Sequence, residues 1–117
     1  MTELNFNNLN WGDDEVVQLA VVLPLCAKLE KLLLQYNRVG DRGAAALAGA
    51  VQGSAALKAL VLSGNQIGDA GAAALGEALK SNAALKELCL ANDQVGDDAK
   101  SKLHESVEGR EGFYLFM

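Results

Sequence analysis

The chain is poor in the residues on which several protein classes depend. Its 117 residues include one proline, two cysteines, one histidine, one tryptophan, two tyrosines and three phenylalanines. Two cysteines cannot build the disulfide framework of a small secreted domain. The longest apolar run, residues 16–27, contains Gln18 and Pro24 and is shorter than the about 20 residues that a membrane-spanning helix requires. The composition therefore predicts neither a disulfide scaffold nor a membrane protein.

Positive charge is also scarce. The ten Lys and Arg residues are outnumbered by fifteen Asp and Glu residues, and the net charge is −5. A nucleic-acid footprint needs clustered basic residues that displace counterions from phosphates, whereas the basic residues here are spread along the chain. The polar start, MTELNFNN, lacks the basic region and apolar core of a signal peptide. We therefore expect no nucleic-acid partner and a cytoplasmic or otherwise intracellular location.

A 28-residue repeat is the dominant feature of the sequence. Three clear copies occupy residues 29–56, 57–84 and 85–112, and a degenerate copy occupies residues 1–28. A tail of five residues, 113–117, completes the chain. Periods of 20 to 50 residues are typical of folds whose units stack on one another. The whole chain, 1–117, is therefore predicted to be one domain.

Each copy contains the pattern of one strand and one helix. It begins LxxLxLxx(N/D), in which leucines two residues apart indicate a short strand with one buried face. A V/I-G-D sequence follows, and small and large apolar residues then recur at helical spacing. A single unit of this kind cannot bury its apolar face, so neighbours must stack. The prediction is a right-handed α/β solenoid of about four repeats, with parallel strands on its concave face and helices on its convex face.

These repeats resemble the ribonuclease-inhibitor-like class of leucine-rich-repeat proteins, whose units read LxxLxLxxNxIGDxGAxxLAxAL. The class includes ribonuclease inhibitors, the repeat regions of NOD-like receptors and GTPase-activating proteins for Ran. The resemblance implies a protein partner bound on the concave face, and a buried ladder of asparagine side chains that links successive loops. Asn37 and Asn65 match the ladder position, whereas Asp93 occupies it in the last repeat and Leu9 in the first. Because an ionised Asp93 can only accept hydrogen bonds, we expect two full ladder members.

The strand residues between the buried leucines are predicted to point outward on the concave face. Neighbouring strands then bring Leu33, Val61 and Cys89 together as an exposed apolar patch flanked by Tyr36. A charged substitution at Val61 should leave folding intact and weaken partner binding. The alternative is that these residues only favour strand formation. The predicted partner-binding residues are Lys31, Leu33, Gln35, Tyr36, Val61, Ser63, Glu87 and Cys89.

No catalytic, cofactor or metal site is predicted. Cys26 and Cys89 are separated by at least two strand spacings, about 10 Å, which exceeds the roughly 7 Å that a disulfide bridges. His104 is expected on the helix side, away from Cys89, so no base can activate that thiol. The acidic pairs at 13–14 and 97–98 lie at helix starts, where capping explains them better than a cation does.

The tail, FYLFM, allows two interpretations. Continuation of the period places Phe113 and Phe116 at the first and fourth positions of a fifth copy. The tail then either covers the last repeat as an aromatic cap or forms a partial strand whose free edge pairs with another chain. The second case predicts a homo-oligomer joined through terminal strands, an assembly subunit, or a fragment of a larger leucine-rich-repeat receptor or regulator.

Overall fold

The structure, a computed structural model, describes residues 2–117 and contains one parallel sheet with helices between its strands. The five strands follow one another across the sheet in chain order, as the repeat predicts. They are β1 (Glu3–Asn5), β2 (Lys31–Leu33), β3 (Ala59–Val61), β4 (Glu87–Cys89) and β5 (Tyr114–Phe116). The helices are α1 (Asp13–Val22), α2 (Asp41–Gln52), α3 (Asp69–Ser81) and α4 (Asp97–Ser106). Within residues 2–117, no helix has the length and apolar character needed to cross a membrane.

The core lies between the sheet and the helices and is built from equivalent residues of successive repeats. Leu32, Leu60 and Leu88 are paired across neighbouring strands and are fully buried. Each buried leucine contributes about 1.5–3 kcal/mol through the removal of apolar surface from water. The helices face these strands with Leu47, Leu75 and Leu103, which are also buried. The α/β solenoid predicted from the period is thus confirmed.

The apolar run of residues 16–27 contains most of the first helix, which ends before Pro24 as the sequence indicates. Helix α1 ends at Val22, and a 3₁₀ turn, Leu23–Leu25, follows it. Pro24 has no backbone N–H and fits the first positions of this turn, where no intrahelical donor is needed. The proline therefore ends the helix two residues before its own position.

The aspartates at the helix starts join successive repeats. Asp41 Oδ1 accepts hydrogen bonds from the backbone N–H groups of Gly68 (2.7 Å) and Gly71 (3.0 Å), at the start of the next helix. Asp13 makes the same two bonds to Gly40 and Gly43. These amides have no intrahelical acceptor, so a carboxylate of one repeat caps the helix of the next. The sequence predicted capping, and the structure shows that it crosses the repeat boundary.

Glycine at the fifteenth residue of a repeat permits this close approach. A Cβ added at Gly71 would lie 2.8 Å from Asp41 Oδ1 and 2.8 Å from Ile67 Cγ2. The last repeat has Ala99 at this position, and there Asp69 bonds only the N–H of Gly96 (2.7 Å). The loss of glycine thus accompanies the loss of the second capping bond.

The fifth strand is displaced by one residue from its predicted register. Tyr114 pairs with Glu87 and Phe116 with Cys89, so the spacing between β4 and β5 is 27 residues. A shift of one residue exchanges the two faces of a strand. Leu115 consequently packs against the core together with Phe113 and Met117, and Phe116 faces away from it. The prediction that Phe116 occupies the fourth, inward position is therefore wrong.

Candidate functional site on the sheet face

The outward surface of the sheet, here called the sheet face, is formed by alternate residues along the five strands and their extensions. The neighbouring residues Leu32, Leu60 and Leu88 point into the core, so alternation directs this second set outward. The predicted partner-binding residues differ in exposure. Lys31 and Tyr36 are exposed, Leu33, Gln35, Glu87 and Cys89 are half-buried, and Val61 and Ser63 are buried.

The centre of the sheet face is less accessible than predicted. Val61 is only 8% exposed, because it lies between Leu33 and Cys89 on strands that flank β3 on both sides. Side chains on adjacent strands are about 5 Å apart and cover one another. An open apolar patch centred on Val61 is therefore not present. A glutamate at this position would bury a charge and would not be a neutral probe of binding.

Ser63 is buried for a related reason. Its hydroxyl lies 2.6 Å from the thiol of Cys89 on the next strand, and the two groups form a hydrogen bond. Cys89 is a free thiol, and so is Cys26. His104 belongs to helix α4 and not to the sheet. Among residues 2–117, no group of three or more His, Cys, Asp or Glu side chains is arranged to hold a metal ion.

Gln35 is held by the preceding repeat. Its backbone N–H donates to Asn7 Oδ1 (2.6 Å), and its side-chain Oε1 accepts from Asn7 Nδ2 (3.2 Å). These two bonds give the amide of Gln35 a fixed orientation on the sheet face. Gln35 can therefore offer a pre-oriented side-chain amide to a partner.

Tyr36 lies in the turn that follows β2, and its backbone is in the left-handed region, with φ of 58°. Its ring covers Gly64 in the next repeat, where an added Cβ would collide with the ring carbons. Gly64 also has a positive φ, 74°, which glycine adopts without steric cost. Tyr36 is nevertheless 56% exposed, so its ring presents an aromatic surface beside the strands.

The structure adds two residues that the sequence prediction missed. Tyr114 and Phe116 on β5 are 61% and 49% exposed, and their rings stack with centroids 6.4 Å apart and planes 10° apart. Phe116 lies beside Cys89 and extends the apolar part of the sheet face toward its last strand. Alternate apolar residues in FYLFM are compatible with Tyr114 and Phe116 both pointing outward. The strict 28-residue period instead predicts a register in which Phe116 points inward.

Strand β5 is the last strand of the sheet. One row of its backbone N–H and C=O groups therefore has no strand partner within residues 2–117. The exposed end of the sheet face thus combines stacked aromatic rings with a free strand edge. Both features suit contact with another polypeptide.

Comparisons with known proteins agree with this architecture. The Leucine Rich repeat family matches residues 25–48 and 54–76. The actin-binding site 2 (ABS2) of leiomodin-1 superposes with a TM-score of 0.90 at 24% identity, covering 99% of this chain and 69% of that one. The C-terminal domain of tropomodulin from Caenorhabditis elegans superposes with a TM-score of 0.88 at 18% identity, covering 100% and 73%. No curated protein sequence matches the chain. At these identities the two structures show a likeness of fold.

Proposed function

Because this chain is a leucine-rich-repeat protein, we propose that it is a non-enzymatic protein-interaction module that binds a partner protein through its sheet face. The observation that carries the proposal is the stacked, exposed pair of Tyr114 and Phe116 beside Cys89. Aromatic residues are enriched at the energetic centres of protein interfaces because they bury large areas with little loss of rotamer freedom. We place the centre of the interface at this end of the sheet face.

The residues predicted from the sequence have graded roles in this proposal. Leu33 and Cys89 supply partly exposed apolar surface, and Tyr36 adds a second aromatic contact. Lys31, Gln35 and Glu87 form a polar rim. Val61 and Ser63 are buried and act as support for their neighbours. The two free thiols fit a reducing, intracellular compartment, which we also propose.

Actin is the first partner to test, since leiomodin-1 ABS2 is an actin-binding site with a similar fold. Monomeric actin is titrated with the wild-type chain and with the double variant Tyr114→Ser/Phe116→Ser, and binding is measured by calorimetry. We expect the double variant to lose at least about tenfold in affinity, equivalent to about 1.4 kcal/mol. Val21→Ser, which removes an exposed apolar side chain from helix α1, is the matched control and should bind like the wild type.

Equal affinity of the double variant and the wild type would refute the sheet face as the actin site. If the wild type does not bind actin, the general proposal is tested with a photo-crosslinking phenylalanine analogue. The analogue at position 116 should capture one defined protein from cells that contain the chain, and the analogue at position 21 should not. Identical capture from both positions would contradict the proposal. Circular dichroism melts verify that each variant is folded.

Self-association through β5 is a second candidate, supported by the free edge of that strand. The interface would then join backbone groups of two chains in addition to the aromatic rings. Light scattering over a wide concentration range measures the molar mass. A constant monomer mass would reject this candidate, and a dimer that forms with rising concentration would support it.

A further inference from the structure

The side chain at the twenty-sixth residue of a repeat reaches back to the end of the preceding helix. Asn82 Nδ2 donates to the carbonyl oxygens of Val51 and Ser54, both at 2.7 Å. Arg110 occupies the same place one repeat later, and its two terminal nitrogens donate to the carbonyls of Leu79 (2.9 Å) and Leu85 (2.7 Å). Two successive boundaries between repeats are therefore closed by an amide or a guanidinium donor.

The boundary between the first two repeats lacks this donor. Ser54 stands at the equivalent position, and its hydroxyl accepts from the backbone N–H groups of Ala56 (3.3 Å) and Leu57 (3.1 Å). Asn82 Oδ1 makes the same local bonds to Ala84 and Leu85. Serine thus keeps the acceptor role of the position but is too short to replace the donor.

A pocket of about 300 Å³ lies at this boundary. Leu23 and Cys26 correspond to Val51 and Ser54 one repeat later, and Leu29 corresponds to Leu85. An Asn or Arg side chain at position 54 would therefore reach the carbonyls of Leu23, Cys26 or Leu29, and all three of these residues line the pocket. The lining includes Leu23, Cys26, Leu29, Val51, Ser54 and Leu57.

The carbonyls can accept a further bond. Leu23 O accepts from the N–H of Cys26 (2.9 Å) and Cys26 O from that of Leu29 (3.0 Å), which uses one of the two lone pairs of each oxygen. Val51 O likewise accepts from the N–H of Ser54 in addition to Asn82. At the next boundary, a carbonyl in the equivalent position thus already accepts two hydrogen bonds.

The electrostatic setting favours a cation. The C-terminal end of α2 lines the pocket with Gly49, Ala50, Val51 and the C-cap residue Gly53, together with the turn that ends α1. A helix C-terminus carries partial negative charge, and a basic residue in the last turn normally compensates it. Helices α3 and α4 have Lys80 and His104 in their last turns, whereas α1 and α2 have no basic residue there. Lys28, which follows the lining residue Ala27, is exposed and does not line the pocket.

We propose that this pocket binds the guanidinium group of an arginine side chain supplied by another polypeptide. The guanidinium takes the place that Arg110 fills at the last boundary, and its aliphatic stem contacts the apolar wall. A polypeptide source is favoured over a free guanidine because Leu25, between the lining residues Pro24 and Cys26, is 84% exposed and gives a partner apolar surface to cover. The site is separate from the sheet face, and the inference does not depend on the proposed function.

The test uses n-butylguanidinium as a probe, with two-dimensional ¹⁵N–¹H spectra of the full chain. Saturable shifts are expected at the backbone amides of Ala27, Ser54 and Ala55, which lie at the pocket. Binding should be at least about fivefold weaker for n-butylammonium, because a compact ammonium cannot donate to two separated carbonyls in a fixed fork. Uncharged n-butanol should give smaller shifts that do not saturate.

Ser54→Asn places an internal donor in the pocket and should abolish the shifts caused by n-butylguanidinium. Ser81→Asn, at the exposed end of α3, is the matched control and should bind like the wild type. Gly53→Leu is a second blocking variant, since a Cβ at Gly53 meets no atom within 4 Å and the fold should tolerate it. The proposal is overturned if n-butanol reproduces the guanidinium shifts, if no shifts occur, or if binding persists in both blocking variants.

Discussion

Asp93 occupies the ladder position of the last repeat and provides a quantitative test of how the loops are joined. In the preceding repeat, Asn65 Oδ1 accepts from the N–H of Val39 (3.0 Å), and Asn65 Nδ2 donates to the carbonyls of Leu34 (2.8 Å) and Leu62 (2.9 Å). Asp93 Oδ1 reproduces the first bond, to Ile67 N–H at 2.9 Å. Asp93 Oδ2, in place of the amide nitrogen, is buried and has no hydrogen-bond partner among residues 2–117.

Burial raises the pKa of Asp93 from its ordinary 3.8 to about 6. Hydrogen bonds from the backbone N–H groups of Ile67 and Asn65 lower the pKa, but by less than burial raises it. Between these two values the folded chain binds more protons than the unfolded chain, so the stability contributed by Asp93 falls as the pH rises. At about 1.4 kcal/mol per pH unit, the full effect is roughly 3 kcal/mol. Because the Asp93 residue as a whole is partly exposed, solvent screening reduces this to about 1–2 kcal/mol.

The variant Asp93→Asn removes the charge and restores an amide donor to the ladder. The donor adds about 1 kcal/mol, so we expect the variant to be more stable by about 2–3 kcal/mol at pH 7.5. At pH 4 the gain should fall below about 1 kcal/mol, because protonated Asp93 is neutral and can itself donate one bond. Urea denaturation of both chains from pH 4 to pH 8 measures the difference. Since the other carboxylates are common to both chains, their contributions cancel.

Asp97→Asn is the matched control, because this aspartate is exposed on the helix side of the same repeat. The free energy of unfolding of this control at pH 7.5 should stay within about 1 kcal/mol of the wild type. A pH-independent difference for Asp93→Asn, or a variant less stable than the wild type at pH 7.5, would refute the account of the ladder. A titration of the Asp93 carboxyl carbon by nuclear magnetic resonance locates the pKa independently.

Two further predictions concern the capping bonds between repeats, and urea denaturation at pH 7.5 measures both. Gly71→Ala should lower the free energy of unfolding by about 2–3 kcal/mol, because the added Cβ displaces the Asp41 carboxylate. Its control, Gly49→Ala, should raise the free energy of unfolding by about 0.5–1 kcal/mol, because Gly49 lies on an open helix surface where alanine is favoured over glycine. Asp41→Ala should cost about 1–2 kcal/mol through the loss of two helix-capping bonds, and Asp97→Ala less than about 1 kcal/mol. Equal effects within either pair would contradict the structure.

The period of the sequence was sufficient to predict strands β1 to β4, the helices and the ladder. Leucines at fixed spacing define which face of each strand is buried, so the pairing of Leu32, Leu60 and Leu88 follows from the repeat itself. The ladder role of Asn37 is confirmed as well, because its Oδ1 accepts from the N–H groups of Leu9 and Trp11. These features depend on one repeat and its immediate copy, and the sequence contains that information directly.

The exposure of the sheet face depends on side chains from different repeats and was harder to predict. Val61 is buried because Leu33 and Cys89 flank it, which strand alternation alone does not indicate. The exposed aromatic pair was missed because β5 follows β4 by 27 residues. The shorter connection lets Phe113 stack under the Arg110 guanidinium, which lies 4.8 Å from the ring centroid. The pocket at Ser54 could not be predicted from the sequence. That Ser54 lacks a hydrogen-bond donor is recognisable only from the bonds that Asn82 and Arg110 make at the equivalent positions.

Three polar positions in each repeat determine how firmly neighbours are joined. At the boundary between residues 29–56 and 57–84, the ladder amide of Asn65, the capping carboxylate of Asp41 and the donor of Asn82 are all present. The stability of a repeat protein is approximately a sum of such nearest-neighbour terms. The middle boundary is therefore the best satisfied of the three.

Each outer boundary lacks part of this set. The first has no donor at Ser54, and the last has the unsatisfied carboxylate of Asp93 and a single capping bond from Asp69. A polar group that has no partner within the chain can still form a hydrogen bond with another molecule. Such a bond is favourable for a buried carbonyl that lacks a donor and for a helix end that lacks an opposite charge. The same departures from the repeat that weaken the outer boundaries thus create the places where a ligand or a proton can act on this chain.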